Sequence, residues 1–128
     1  MKNSIKRLSD NELEVMKVIW NNKTPISTVD IKNILSESRQ WNLSALQTTL
    51  IRLTDKGFLN TTKDSKNRYY TAIVEKKNYV EEQNKIFLKK LNNNSIKNFI
   101  ASLYDSGTVS AEDLEEIKRF IDDKMKGE

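Results

Sequence analysis

Apolar residues recur along this chain at two different periods, and the change of period divides it. Leu13, Met16, Ile19 and Trp20, with Val15 beside them, repeat at the spacing of one helix face. Ser9 and Glu12 stand before this stripe at capping-box spacing, with Leu8 and Leu13 at the positions of a hydrophobic staple. Asn21-Asn22 and Thr24-Pro25 end the run, which predicts a first helix over 10–21. Thr24, Pro25 and Ile26 read as extended. Ser27 then caps a second helix over 28–37 that carries Val29, Ile31, Ile34 and Leu35. A polar turn from Ser36 to Gln40 leads to Trp41, and Asn42 caps a third helix over 43–56. Its buried stripe is Leu46, Leu50 and Leu53, helped by Thr49 and Leu43, and Gly57 stands where a left-handed residue closes the helix.

Beyond Gly57 the period shortens. Phe58–Lys63 and Arg68–Ile73 are β-prone runs separated by Asp64-Ser65-Lys66-Asn67, a hairpin with a polar tip. Three helices followed by a hairpin, with a short strand at Pro25-Ile26, is the order of a winged helix-turn-helix. After Val74 the pattern is helical again. Tyr79, Val80, Ile86, Phe87 and Leu91 line a fourth helix over 76–91, and Asn92-Asn93-Asn94 breaks it. Ser95 caps a fifth helix bearing Ile96, Phe99, Ile100 and Leu103, and Ser106-Gly107 is a turn. Ser110 caps a sixth over 111–124, with Leu114, Ile117 and Ile121 facing inward.

These last three helices carry too little apolar surface for a core of their own, so their stripe is expected to pack on a second copy. The expected dimerisation set is Tyr79, Ile86, Phe87, Leu91, Phe99, Ile100, Leu103, Leu114, Ile117 and Ile121. The fold class predicted is mainly α: a winged helix-turn-helix of three helices and a hairpin wing over 1–74, then a three-helix dimerisation segment over 75–128.

Composition narrows the chemistry. Among 128 residues there is no Cys and no His, which removes disulfides, thiolate metal sites and the usual general base, nucleophile and transition-metal ligands. Paired carboxylates in a cleft are not evident either. The expectation is no enzyme, no catalytic residue, no metal and no cofactor. No apolar stretch is long enough to span a bilayer, and the opening MKNSIKRLSD lacks the apolar run of a secretory signal, so a cytoplasmic protein without membrane insertion is expected. Net charge is +4, unevenly placed. Residues 1–74 hold 12 Lys/Arg against 7 Asp/Glu, whereas 75–128 hold 10 against 11. A basic first part suits a polyanionic partner, but a solvated basic face explains it as well, and charge alone does not decide.

Removing the buried stripe from the third helix leaves Ser44, Ala45, Gln47, Thr48, Ile51 and Arg52. Gln47 has the amide that pairs with adenine, Arg52 suits guanine or phosphate, Thr48 a thymine methyl or phosphate, and Ser44 a phosphate at the helix start. The hairpin tip adds Lys63, Lys66, Asn67 and Arg68 as a wing for backbone phosphates. An ordinary solvated helix face also carries such residues; wing and basic excess together favour DNA contact. Trp20 falls on the apolar stripe of the first helix and reads as core rather than a base-stacking platform. Trp41 is expected to pack beneath the start of the third helix, and Tyr69 and Tyr70 to point to opposite faces of a strand.

LSDNELEVMKVIW (8–20), Trp41 before LSALQTTLIRLTDKGFL (43–59), RYYTAIV (68–74) and the C-terminal VSAEDLEEIKRFI together resemble the penicillinase-repressor family of the BlaI/MecI type, over nearly the whole chain. The resemblance implies a transcriptional repressor that binds a palindromic operator as a homodimer, controlling β-lactamase or related antibiotic-resistance genes. It also implies release by proteolysis in the dimerisation segment, downstream of a membrane-bound sensor metalloprotease. Its DNA-contacting face maps onto Ser44, Gln47, Thr48 and Arg52. The family commonly has Lys-Thr where this chain has Ser44-Ala45, so one basic contact is lost. The family's cut is commonly an Asn-Phe bond eight residues before the serine capping the last helix. Counted back from Ser110 this is Ser102-Leu103, while the dipeptide itself occurs at Asn98-Phe99, one helical turn earlier. The absence of C-terminal cysteines argues against the family's copper-responsive branch. A winged-helix module for protein–protein contact, or a repressor of this family answering another stimulus, are the alternatives.

Overall fold

The computed structural model describes residues 5–127; Met1–Ser4, part of the stretch read for a secretory signal, and Glu128 lie outside the described residues. The elements run α1 (Asp10–Trp20), β1 (Ile26–Ser27), α2 (Thr28–Leu35), α3 (Leu43–Asp55), β2 (Leu59–Asp64), β3 (Asn67–Ala72), α4 (Lys76–Asn92), α5 (Ile96–Asp105) and α6 (Ala111–Lys126). The chain falls into two compact units, Met1–Gln83 and Asn84–Glu128, so the first two turns of α4 go with the first.

The first unit is a winged helix. Capping chemistry sets its helices: the Ser9 hydroxyl accepts from the Glu12 N–H while the Glu12 carboxylate accepts from the Ser9 N–H, the reciprocal box expected from their spacing. Ser27 and Asn42 cap α2 and α3 by one bond each, their side-chain oxygens accepting from Asp30 N–H and Ala45 N–H without a reciprocal bond. At the end of α3, Gly57 takes φ 85°, Phe58 N–H donates to Leu53 O and Gly57 N–H to Thr54 O. This is the paired bonding of a Schellman close, and it drops Phe58, 1% exposed, into the core. A Cβ at position 57 would meet nothing within 4 Å. Gly57→Ala is therefore expected to cost about 1 kcal/mol through backbone strain alone, read as a shift in denaturant midpoint at unchanged slope.

The sheet is antiparallel in the order β1-β3-β2, with Ile26 opposite Tyr70 and Leu59 opposite Ala72. Asp64 pairs with Asn67, so the four-residue tip read from the sequence is a two-residue turn, Ser65-Lys66, with Ser65 at φ 61°. Val15, Met16, Ile31, Leu46, Leu50, Leu53 and Phe58 form the centre of the core. Full burial of each such side chain stabilises by roughly 1.5–3 kcal/mol before entropy is counted.

Two assignments need correction. Leu43, read as helping the buried stripe of α3, is 47% exposed, and Val29, one of the apolar residues that mark α2, is 58% exposed as well. Val18 and Glu12 take buried places instead. Tyr79, read as part of the dimerisation surface, is 6% exposed within the first unit. Its ring lies 5.8 Å from both Trp20 and Phe58, and its hydroxyl accepts from Leu8 N–H. The Trp20 indole donates to Val74 O nearby, a core role as its stripe position implies.

The second unit comprises the end of α4, then α5 and α6. Asn93 and Asn94, both at positive φ, end α4, a conformation asparagine tolerates better than most residues. Gly107, φ 80°, closes α5 with the same paired bonding as Gly57, from Thr108 to Leu103 and from Gly107 to Tyr104. Phe87 and Phe99 meet edge to face at 5.6 Å. No residue of α5 or α6 is buried.

Candidate nucleic-acid interface

The outer face of α3 is held in place from both ends. At its start, the loop before α3 is tied to α1. The Trp41 indole donates to one Glu14 oxygen at 3.1 Å, and the Arg39 guanidinium donates twice to the other, at 2.9 and 3.1 Å. Arg39 also reaches Asn11 and lies 4.5 Å above the Trp41 ring. Burial alone would raise the Glu14 carboxyl, but the bonds from Arg39 and Trp41 outweigh it and hold the group below its ordinary 4.5. Trp41, 3% exposed, thus packs at the foot of the recognition helix rather than offering a stacking surface. At the other end, the ammonium of Lys56 donates to Glu12 at 2.7 Å, joining the close of α3 to the start of α1.

Fixed this way, α3 exposes Ser44, Gln47, Thr48 and Arg52, all the residues proposed for DNA contact on this helix. Ser44 and Ala45 stand in the first turn, which carries no acidic residue. The alternation of the hairpin places the wing cations. Leu59, Thr61 and Lys63 share a face with their partners Ala72, Tyr70 and Arg68. The inner members of this face pack on the helices, and the outer pair, Lys63 and Arg68, project past them. Like charges directly opposite across a hairpin destabilise it, so this pairing is a cost to the fold that a polyanion would relieve. Arg68 is steadied by a 3.4 Å bond to the Thr61 hydroxyl. Arg52, Lys63 and Lys66 pair with no carboxylate among the described residues.

Between helix and wing lies a concavity of about 480 Å³. Its floor is Val29, Leu43, Gln47 and Ile51, and its rim is Lys63, Lys66, Asn67 and Arg68, with no acidic residue in the lining. Gln47 and all four wing residues named from the sequence therefore meet at one place. Ser44, Thr48 and Arg52 lie on the adjoining strip of α3, outside that lining. The sequence left Ile51 on the outer face but did not set Val29 and Leu43 beside it, since they carry the same apolar signal as core residues. It also missed the network of Glu14, Arg39 and Trp41, whose partners are 25 and 27 residues apart in sequence.

Of the remaining candidates, Ile86, Phe87, Leu91 and Ile121 are exposed, while Phe99, Ile100, Leu103, Leu114 and Ile117 are half-buried. Ile96, Tyr104, Phe120 and Met125, not in the predicted set, are also 49–72% exposed. Ser102-Leu103 and Asn98-Phe99 both lie inside α5, with Ser102 and Asn98 exposed. No helix among the described residues is long and apolar enough to cross a membrane.

Three helices, a paired wing and an unpaired set of cations around an exposed helix define a winged-helix DNA-binding protein. The family model for the penicillinase repressor matches residues 8–123, and the chain belongs to that family of DNA-binding repressors, which is not a class of enzymes. It is 31% identical over 119 residues to the penicillinase repressor of Bacillus licheniformis, covering 93% of this chain and 92% of that one. The solution structure of the DNA-binding domain of the repressor BlaI matches 62% of this chain and 94% of its own at 40% identity, with a TM-score of 0.53. The monomeric Bacillus licheniformis BlaI in complex with the blaP half-operator matches 59% of this chain and 92% of its own at 39% identity, with a TM-score of 0.50.

Proposed function

We propose that this chain represses transcription by binding a palindromic operator as a homodimer, with the first unit contacting DNA and the second, from Asn84 on, pairing the protomers. The observation that carries this reading is the convergence of Gln47 with four wing residues on one acid-free concavity beside an exposed recognition helix. The half-operator complex of a relative at 39% identity supports duplex DNA as the ligand. The absence of any buried residue in α5 and α6, together with apolar groups as open as Leu91 and Phe120, supports pairing with a second copy. Control of β-lactamase or related resistance genes, and release by a cut in α5 downstream of a sensor metalloprotease, complete the proposal and rest on the resemblance of the sequence alone. Both candidate bonds are inside a helix, so α5 has to open locally before either is cut.

Gel shifts on a palindromic duplex from the chain's own upstream region test the reading. Gln47→Ala and Arg52→Ala are each expected to weaken binding by about 1–3 kcal/mol if a base is read. Lys66→Ala is expected to weaken all sequences alike and to flatten the salt dependence by about one phosphate's worth. A monomeric chain that binds random DNA as well as the palindrome overturns the proposal. Full affinity in both α3 variants would point instead to a winged helix used for protein contact.

A further inference from the structure

Leu43, Gln47 and Ile51 recur every four residues and so form one line along the outer side of α3, about 12 Å from first to last. Leu43 is 47% and Ile51 60% exposed, each on the floor of the concavity whose rim carries Lys63, Lys66 and Arg68. Neither side chain belongs to the buried core, while Leu46 and Leu50 on the same helix are fully buried. The line presents a primary amide between two aliphatic groups, inside a cationic rim.

The chemistry that complements this order is the major-groove edge of A·T pairs. Adenine offers an acceptor and a donor to the amide, and its partner thymine offers a C5 methyl at the same edge. A length of about 12 Å spans three to four base pairs at roughly 3.4 Å each. The cations of the rim match the phosphates that flank such an edge, which commits the floor to duplex DNA rather than to an apolar peptide. We propose that Leu43 and Ile51 are specificity-determining residues that pack on thymine methyls either side of a base pair read by Gln47. This rests on the operator-binding reading above, and adds that part of the sequence preference is carried by methyl groups and not by hydrogen bonds.

The test begins with the full chain and a randomised duplex pool, from which the preferred sequence is selected. The selected duplex is then compared with one in which deoxyuridine replaces thymidine, which removes the C5 methyls and leaves every hydrogen-bonding group in place. A loss of roughly three- to tenfold per contacted methyl is expected, the scale of one methyl-sized apolar contact. Leu43→Ala and Ile51→Ala are each expected to lose discrimination at one position only, several base pairs apart. Both side chains are exposed, and unchanged thermal melting shows that the variants fold. Equal binding of thymine and uracil duplexes, or full methyl discrimination in both variants, overturns the proposal while leaving operator binding intact. A selection that returns no preferred sequence removes the operator reading, and this inference with it.

Discussion

A chain ending at Ser102 is expected to be monomeric and to bind a palindromic duplex roughly 10²–10⁴-fold more weakly than the intact chain. In the proposed dimer each protomer would contribute one α3 and one wing. Pairing would make the second contact effectively intramolecular, so the expected loss reflects concentration rather than damaged contacts. The deletion removes α6 whole and with it Leu114, Ile117, Phe120, Ile121 and Met125. It leaves the DNA-contacting unit alone, because every buried residue of the core lies between Leu8 and Tyr79. Affinity for an isolated half-site should therefore stay close to that of the intact chain, and only the palindrome should suffer. Sedimentation and gel shifts on full and half sites measure the two effects separately. A truncated chain that dimerises and binds the palindrome like the intact one removes dimerisation, and release by cleavage, from the mechanism.

What made the fold legible is local chemistry. Ser9 with Glu12, Asn42 before Leu43, and Gly57 after α3 each act within a few residues, and each bounds an element where the sequence places it. The recognition helix was readable for the same reason: its inner stripe of Leu46, Leu50 and Leu53 leaves the outer residues by subtraction. Sidedness failed where an apolar residue has a use other than the core. Val29 and Leu43 carry the periodicity of buried positions and lie open on the concavity. Tyr79 failed the other way: it stands in the first turn of the helix that leads out of the first unit, yet its ring packs against Trp20 and Phe58. Pairings over long sequence separations left no local trace. Glu12 was legible as half of a cap, but its bond to Lys56 spans 44 residues and only the fold reveals it.

That bond has the second large consequence. The Glu12 side chain is 5% exposed, so replacing its cationic partner leaves a buried carboxylate with only the Ser9 groups to hold it. Lys56→Met is expected to cost about 2–4 kcal/mol at neutral pH, below the full cost of breaking a buried pair because Lys56 is itself 29% exposed. Glu12→Gln should cost less. Glutamine keeps the capping geometry at this position, and the freed ammonium can turn to water. The pH dependence separates this electrostatic loss from lost packing. Burial raises the Glu12 carboxyl, but the Lys56 and Ser9 bonds outweigh it and hold the group below its ordinary 4.5 in the folded chain. A group depressed on folding stabilises above its unfolded pKa, and that stability is lost as pH falls through the folded value. The Lys56→Met penalty, measured by urea unfolding, should therefore be full at pH 7 and shrink on acidification below about 4.5, as Glu12 becomes protonated. A penalty that stays constant into acid would assign the role of Lys56 to packing of its aliphatic stem. Because Lys56 caps α3, the neutral-pH variant should also lose DNA affinity before it unfolds, through a loosened recognition helix and not a missing contact.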